Sequence, residues 1–198
     1  NNSSIKDIQN NLLKWFSSYG RHWIPWKLKP DGALPRSREL ISPYGIWIAE
    51  VMLQQTQLQV ALPYWQRWMQ ALPTVDALAA ADEQQVLLLW QGLGYYSRAR
   101  RLHQAAQQLQ GQPWPQDLEA WLALPGIGRS TAGSILSSAF DRPFAILDGN
   151  VKRVLARLTA FAQPPALQVN RMRKNTAFGG AYRQLIKYHQ SNRSVAII

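Results

Sequence analysis

The sequence predicts an all-α fold. Three observations predict it: apolar residues recur at helical spacing through most of the chain, no segment alternates apolar and polar residues with period two, and capping or breaking residues fall between the periodic runs. With 46% hydrophobic residues in 198, the chain can bury a core as one globular unit or two small lobes.

Taken in order, Ile5, Ile8, Leu12, Leu13 and Phe16 mark an opening amphipathic helix. Residues 23 to 44 are rich in Pro, Gly and charge and read as a loop. Pro43 then suits a helix start, and Ile46, Trp47, Val51 and Leu53 belong to a mostly apolar, hence buried, helix. A helix bent at Pro63 carries Tyr64, Trp65 and Trp68. Asp82 can cap the segment ending at Trp90, where Gly92 and Gly94 are stop signals. Residues 96 to 109 form a helix with one basic face, closed by Gly111 and Pro113. A short helix over 116 to 123, a turn over 124 to 128 and a helix over 129 to 139 follow. The last clear helix begins at Asp148-Gly149, with Val151, Val154, Leu155 and Leu158 on one face. After Phe161 the pattern decays, leaving a weak helical stretch around 182 to 188. The chain therefore divides into a core, 1 to 160, and a basic, poorly structured tail, 161 to 198.

The formal net charge is +11 and the pI about 10.3. Residues 161 to 198 supply six of the 22 basic residues, Arg171, Arg173, Lys174, Arg183, Lys187 and Arg193, and no acid follows Asp148. Such an excess points to a polyanionic partner, most often nucleic acid. The absence of cysteine excludes disulfides, thiolate catalysis and Cys-ligated metal sites within these residues. No apolar run is long enough to span a membrane, and the start has neither a signal-peptide core nor an initiator Met. The expectation is a soluble intracellular protein whose first residues are missing.

Three local sequences carry chemistry. In Leu124-Pro125-Gly126-Ile127-Gly128-Arg129-Ser130-Thr131-Ala132, two glycines flank one aliphatic residue and a helix starts at once. Glycines allow a tight turn and close approach of a ligand, and the helix start offers N–H groups to a phosphate oxygen. Gly-x-Gly alone is an ordinary helix connection; with Leu-Pro before it and Ser-Thr-Ala after it, the segment resembles the helix-hairpin-helix of DNA repair proteins. Asp148, behind an apolar run and before Gly149-Asn150-Val151, reads either as an N-cap in an Asp-Gly turn or as a carboxylate at the mouth of a cleft. Its distance of 18 residues from Ser130 is the spacing seen in helix-hairpin-helix glycosylases. Glu50 has Ile46, Trp47 and Leu53 as helical neighbours. A surface glutamate is the plain alternative, but a carboxyl on an apolar face needs a partner or a raised pKa, as a general acid does.

Glu50-Val51-Met52-Leu53-Gln54-Gln55-Thr56-Gln57, the run from Leu89 through Gly92-Leu93-Gly94-Tyr95-Tyr96 to Arg100, the hairpin, and Asp148-Gly149-Asn150-Val151-Lys152-Arg153-Val154 together resemble the MutY-type adenine DNA glycosylases, in family order. The resemblance runs from about Trp23 to Leu158. The related endonuclease III family shares the hairpin and the aspartate, but not Met-Leu-Gln-Gln-Thr.

The resemblance implies a helix-hairpin-helix glycosylase fold, with a six-helix barrel lobe and an incomplete second helical lobe. It implies hydrolysis of the N-glycosidic bond of adenine mispaired with 8-oxoguanine or guanine, by a monomer acting on double-stranded DNA in a bacterial cytoplasm, associated with the nucleoid. Glu50 would protonate adenine N7, Asp148 would stabilise or trap the sugar cation, and Asn150 would help orient acid and water. Ser130 fills the slot where endonuclease III-like enzymes carry a nucleophilic lysine. Serine cannot form a Schiff base, so efficient strand cleavage is not expected, although Lys152 could form one adventitiously. Gln55 and Tyr95 would wedge into the duplex; for Tyr95 the alternative is core packing beside Gly94. Gln54, Arg98, Gly126, Gly128, Arg129, Lys152 and Arg153 complete the implied DNA-binding set. The family's four-cysteine iron–sulfur motif and its C-terminal 8-oxoguanine-reading domain have no counterpart in these residues, and the loop between Trp26 and Pro43 is longer and more basic than the resemblance leads one to expect. The alternatives are an endonuclease III-like glycosylase-lyase and a truncated, non-catalytic DNA-binding remnant.

Overall fold

A computed structural model of the chain describes residues 2–35, 41–142, 144, 146 and 148–158. Among them every regular element is helical: α1 (Asn2–Tyr19), a 3-10 turn (Pro25–Lys27), α2 (Pro43–Met52), α3 (Leu58–Ala71), α4 (Val75–Ala80), α5 (Glu83–Trp90), α6 (Ser97–Leu109), α7 (Leu118–Leu122), α8 (Arg129–Phe140) and α9 (Gly149–Leu158). The all-α expectation holds. None of these helices is long and apolar enough to cross a membrane.

The helix starts follow the capping chemistry. Side chains of Thr74, Asp82 and Asp117 accept from Ala77 N, Gln84 N and Ala120 N, satisfying first-turn amides of α4, α5 and α7. Pro43 opens α2 at the one position where a missing N–H costs nothing. α3 continues through Pro63.

α2 is the central element. It is buried almost all round, as its uniformly apolar sequence requires, and packs on α3, α6, α8 and the 3-10 turn. α8 meets it with small buried residues, Ala132, Gly133 and Ser134, which let the two backbones approach closely.

Around this pair lie the fully buried indoles of Trp47, Trp68, Trp90 and Trp121. Three of these four have their ring N–H paired: Trp68 with Tyr44 Oη (3.0 Å), Trp90 with Gly94 O (2.9 Å) and Trp121 with Pro115 O (2.9 Å). Tyr44 passes the chain on to Leu72 O at 2.8 Å.

Two sequence expectations are corrected. Residues 23 to 44 are not simply a loop: Ile24 and Trp26 are buried, and Trp26 packs against Trp65 at 5.3 Å between ring centroids. Two apolar residues separated by one proline were outweighed by the polar composition around them. α4 is an element the sequence pattern does not foretell, because six residues are too few to display a helical period. The expectations for residues 161 to 198, and those for 36 to 40 of the loop, lie outside the described residues.

Candidate active site

Glu50 stands on α2 facing α8, where Ser134 Oγ donates to its Oε1 at 2.7 Å. Burial pushes the Glu50 pKa up to about 7. The Ser134 hydrogen bond and the Lys27 charge oppose that rise, and the Asp148 charge adds to it. The bond to Ser134 on a packed helix sets aside the surface-glutamate alternative: the side chain is a largely desolvated acid whose protonated form burial favours. Lys27, at the end of the 3-10 turn, has its own pKa lowered by burial, an effect Glu50 partly offsets and Arg21 reinforces. Sequence reasoning missed both Ser134 and Lys27.

Asp148 takes the N-cap role read for it. Its Oδ1 accepts from Val151 N at 2.8 Å, an N-cap for α9, while Oδ2 accepts a long bond from Asn150 Nδ2 at 3.4 Å. Arg153 donates to Asn150 Oδ1, so Arg153, Asn150 and Asp148 form one relay of hydrogen bonds. Arg153 thereby steadies Asn150 rather than standing free. The Lys152 side chain lies outside what the structure describes.

The predicted hairpin joins α7 to α8. Ile127 is buried and pins the turn, while Gly126, Gly128, Arg129 and Ser130 are exposed. Gly126 has φ +77°, and a Cβ there would lie 2.9 Å from the Cβ of Arg101, so only glycine fits. Gly128 differs from expectation: its φ is −95° and a Cβ would meet nothing within 4 Å. The fold therefore does not need that glycine. What its bare backbone leaves open is the start of α8, which no side chain caps.

Gln55 and Tyr95 both adopt left-handed backbone, φ +60° and +47°. Tyr95 is 67% exposed, so its alternative as a core residue is overturned. Arg98, expected on DNA, turns inward instead. Nη1 donates to the carbonyls of Val51 (2.9 Å), Met52 (3.4 Å) and Gln54 (2.6 Å), and Nη2 to those of Leu93 (3.1 Å) and Gly94 (3.3 Å). A guanidinium is the one side chain with a rigid fork of donors able to do this. Gln54, Arg98, Arg101, Pro125 and Gly126 also line one small cleft, so the hairpin adjoins the turn that carries Gln54 and Gln55.

A desolvated acid on α2, a second carboxylate within its electrostatic reach and a glycine turn opening the uncapped helix α8 are what the fold brings together. Residues 48–176 match the family model described as HhH-GPD superfamily base excision DNA repair protein, and the chain belongs to that superfamily. Among curated proteins it is similar to the adenine DNA glycosylases of Rattus norvegicus (42% identical over 172 residues, 82% of this chain and 32% of that one) and Homo sapiens (39% over 168 residues, 83% and 30%). The adenine DNA glycosylase of Buchnera aphidicola subsp. Baizongia pistaciae is 40% identical over 149 residues, 74% of this chain and 39% of that one. The chain thus spans about a third of the length of these relatives. The fold is shared with a thermostable thymine-DNA glycosylase (TM-score 0.72, 21% identity, 100% of this chain and 88% of that one). It is shared too with endonuclease III in a non-covalent DNA complex (TM-score 0.66, 20% identity, 100% and 89%).

Proposed function

We propose that this chain is the catalytic part of an adenine DNA glycosylase that removes adenine mispaired with 8-oxoguanine or guanine in double-stranded DNA. The observation that carries this reading is Glu50, a desolvated carboxyl with a pKa of about 7, set within the field of Asp148. The similarity to adenine DNA glycosylases over most of the chain supports the choice of base.

Adenine leaves poorly as an anion, so a proton on N7 from Glu50 makes departure feasible. Positive charge then develops on the sugar, and the Asp148 carboxylate stabilises or traps it. Asn150 holds that carboxylate in place. The uncapped start of α8 takes a backbone phosphate, and Gln55 and Tyr95 fill the stack the flipped base vacates. Ser130 lacks the amine that strand cleavage requires. The family resemblance implies an iron–sulfur cluster, but such a cluster needs thiolate ligands and these residues include no cysteine. They do not fit that group, and no step here goes through it.

The reading is tested by single-turnover excision on duplexes carrying A:8-oxoguanine, A:G or A:T, with abasic product revealed by hot alkali. Product from the two mispairs and none from A:T supports it; binding without product on any duplex favours the non-catalytic remnant.

A further inference from the structure

We propose that Ser134 is a positioning residue for the Glu50 acid: its hydroxyl occupies Oε1 and so keeps the transferable proton on Oε2. The inference rests on the reading of Glu50 as the general acid and concerns a residue outside that reading.

A serine inside a helix ordinarily turns its hydroxyl back onto its own helix. Ser137, one turn further on, makes such a local bond, donating to Ser134 O at 3.1 Å. Ser134 instead reaches from α8 across to α2, and at 2.7 Å the bond has the ideal O–H···O length. Ser134 is only 1% exposed, so bulk water does not compete for its hydroxyl.

In that setting the two oxygens of Glu50 are not equivalent. Protonating Oε2 leaves Ser134 donating to Oε1. Protonating Oε1 would force Ser134 to become the acceptor and find another acceptor for its own hydrogen inside a packed helix interface, where an unpaired hydroxyl is costly. The proton is therefore held on one defined oxygen, as transfer to a fixed base nitrogen demands.

The same bond favours the ionised carboxyl and counteracts burial. Of the groups that act on Glu50, Ser134 from α8 and Lys27 from the 3-10 turn favour ionisation, while Asp148 at the start of α9 opposes it.

The test is Ser134→Ala in the full chain, with two readouts: the titration of the Glu50 carboxyl followed by carbon NMR in the free protein, and the pH dependence of single-turnover excision. Alanine is the best helix former and smaller than serine, so folding is retained and a melting curve checks it. The Glu50 midpoint should rise by about one unit, the worth of a hydrogen bond to a charged group. The acid-side plateau of excision should fall about 10-fold as proton placement is lost, while the alkaline limb moves up with the midpoint. An unchanged midpoint, or a loss equal at every pH, overturns the inference. Full excision by Glu50→Gln would instead remove the acid reading, and the carboxyl titration would still report on Ser134.

Discussion

Gln55 and Tyr95 lie in different turns, yet Arg98 holds the carbonyl of the residue immediately before each of them. Gln54 O accepts from its Nη1 at 2.6 Å and Gly94 O from its Nη2 at 3.3 Å, the latter also accepting from Trp90 Nε1 at 2.9 Å. Left-handed backbone costs a residue with a side chain roughly 1–3 kcal/mol. Fixing the preceding peptide plane is a direct way to meet that cost, and it sets the direction in which both side chains leave the backbone.

Arg98→Lys removes the fork and leaves buried carbonyls short of donors. Excision should fall about 10-fold or more and thermal stability should drop, while the salt dependence of duplex binding stays the same because no phosphate contact is lost. A salt slope shallower by about 0.9 log unit would place the guanidinium on a phosphate instead.

The two hairpin glycines should part company. Gly126→Ala meets both a positive φ and the Arg101 side chain, so melting should show a loss of about 1–3 kcal/mol. Gly128→Ala has an accessible φ and open space; its stability should match the native chain while affinity falls for all duplexes alike. Equal melting losses would contradict this division.

Some of this was legible in the residues and some was not. Glu50 stood out because an acid among Ile46, Trp47 and Leu53 has few ordinary explanations. Asp148 and the hairpin stood out through spacing. Ser134 did not, since a serine among Ser130, Ser137 and Ser138 gives no hint of which hydroxyl crosses to a neighbouring helix. The inward turn of Arg98 is hidden for a related reason: composition marks a cation, but only the packing of α2 and α6 decides whether it faces water or backbone carbonyls. Gly128 was over-read, because Gly-x-Gly does not reveal which glycine carries the positive φ.

Glu50 also makes stability depend on pH. Its folded pKa of about 7 lies above the ordinary value of 4.5, so the folded state holds more protons between these limits. Stability should therefore fall as pH rises from about 4.5 to 7 and level off above, by up to roughly 3 kcal/mol. Glu50→Gln should abolish this component and melt higher than the native chain at pH 8. Parallel curves for the two proteins from pH 5 to 8 would contradict the raised pKa.

Ser130 sits exposed in the first turn of α8, where a lysine has room. Ser130→Lys should gain borohydride-trappable complex and direct strand scission, since an amine can form the iminium that a hydroxyl cannot. A folded, excising Ser130→Lys protein with no trapping would mean that residue 130 does not face the sugar.

The central claim is that Glu50 is the acid that releases adenine. Its most direct test compares native chain and Glu50→Gln in single-turnover excision from an A:8-oxoguanine duplex, with binding measured on the same DNA. Glu50→Gln should bind as the native chain does and excise about 100-fold more slowly or worse. Excision by Glu50→Gln at the native rate would contradict it.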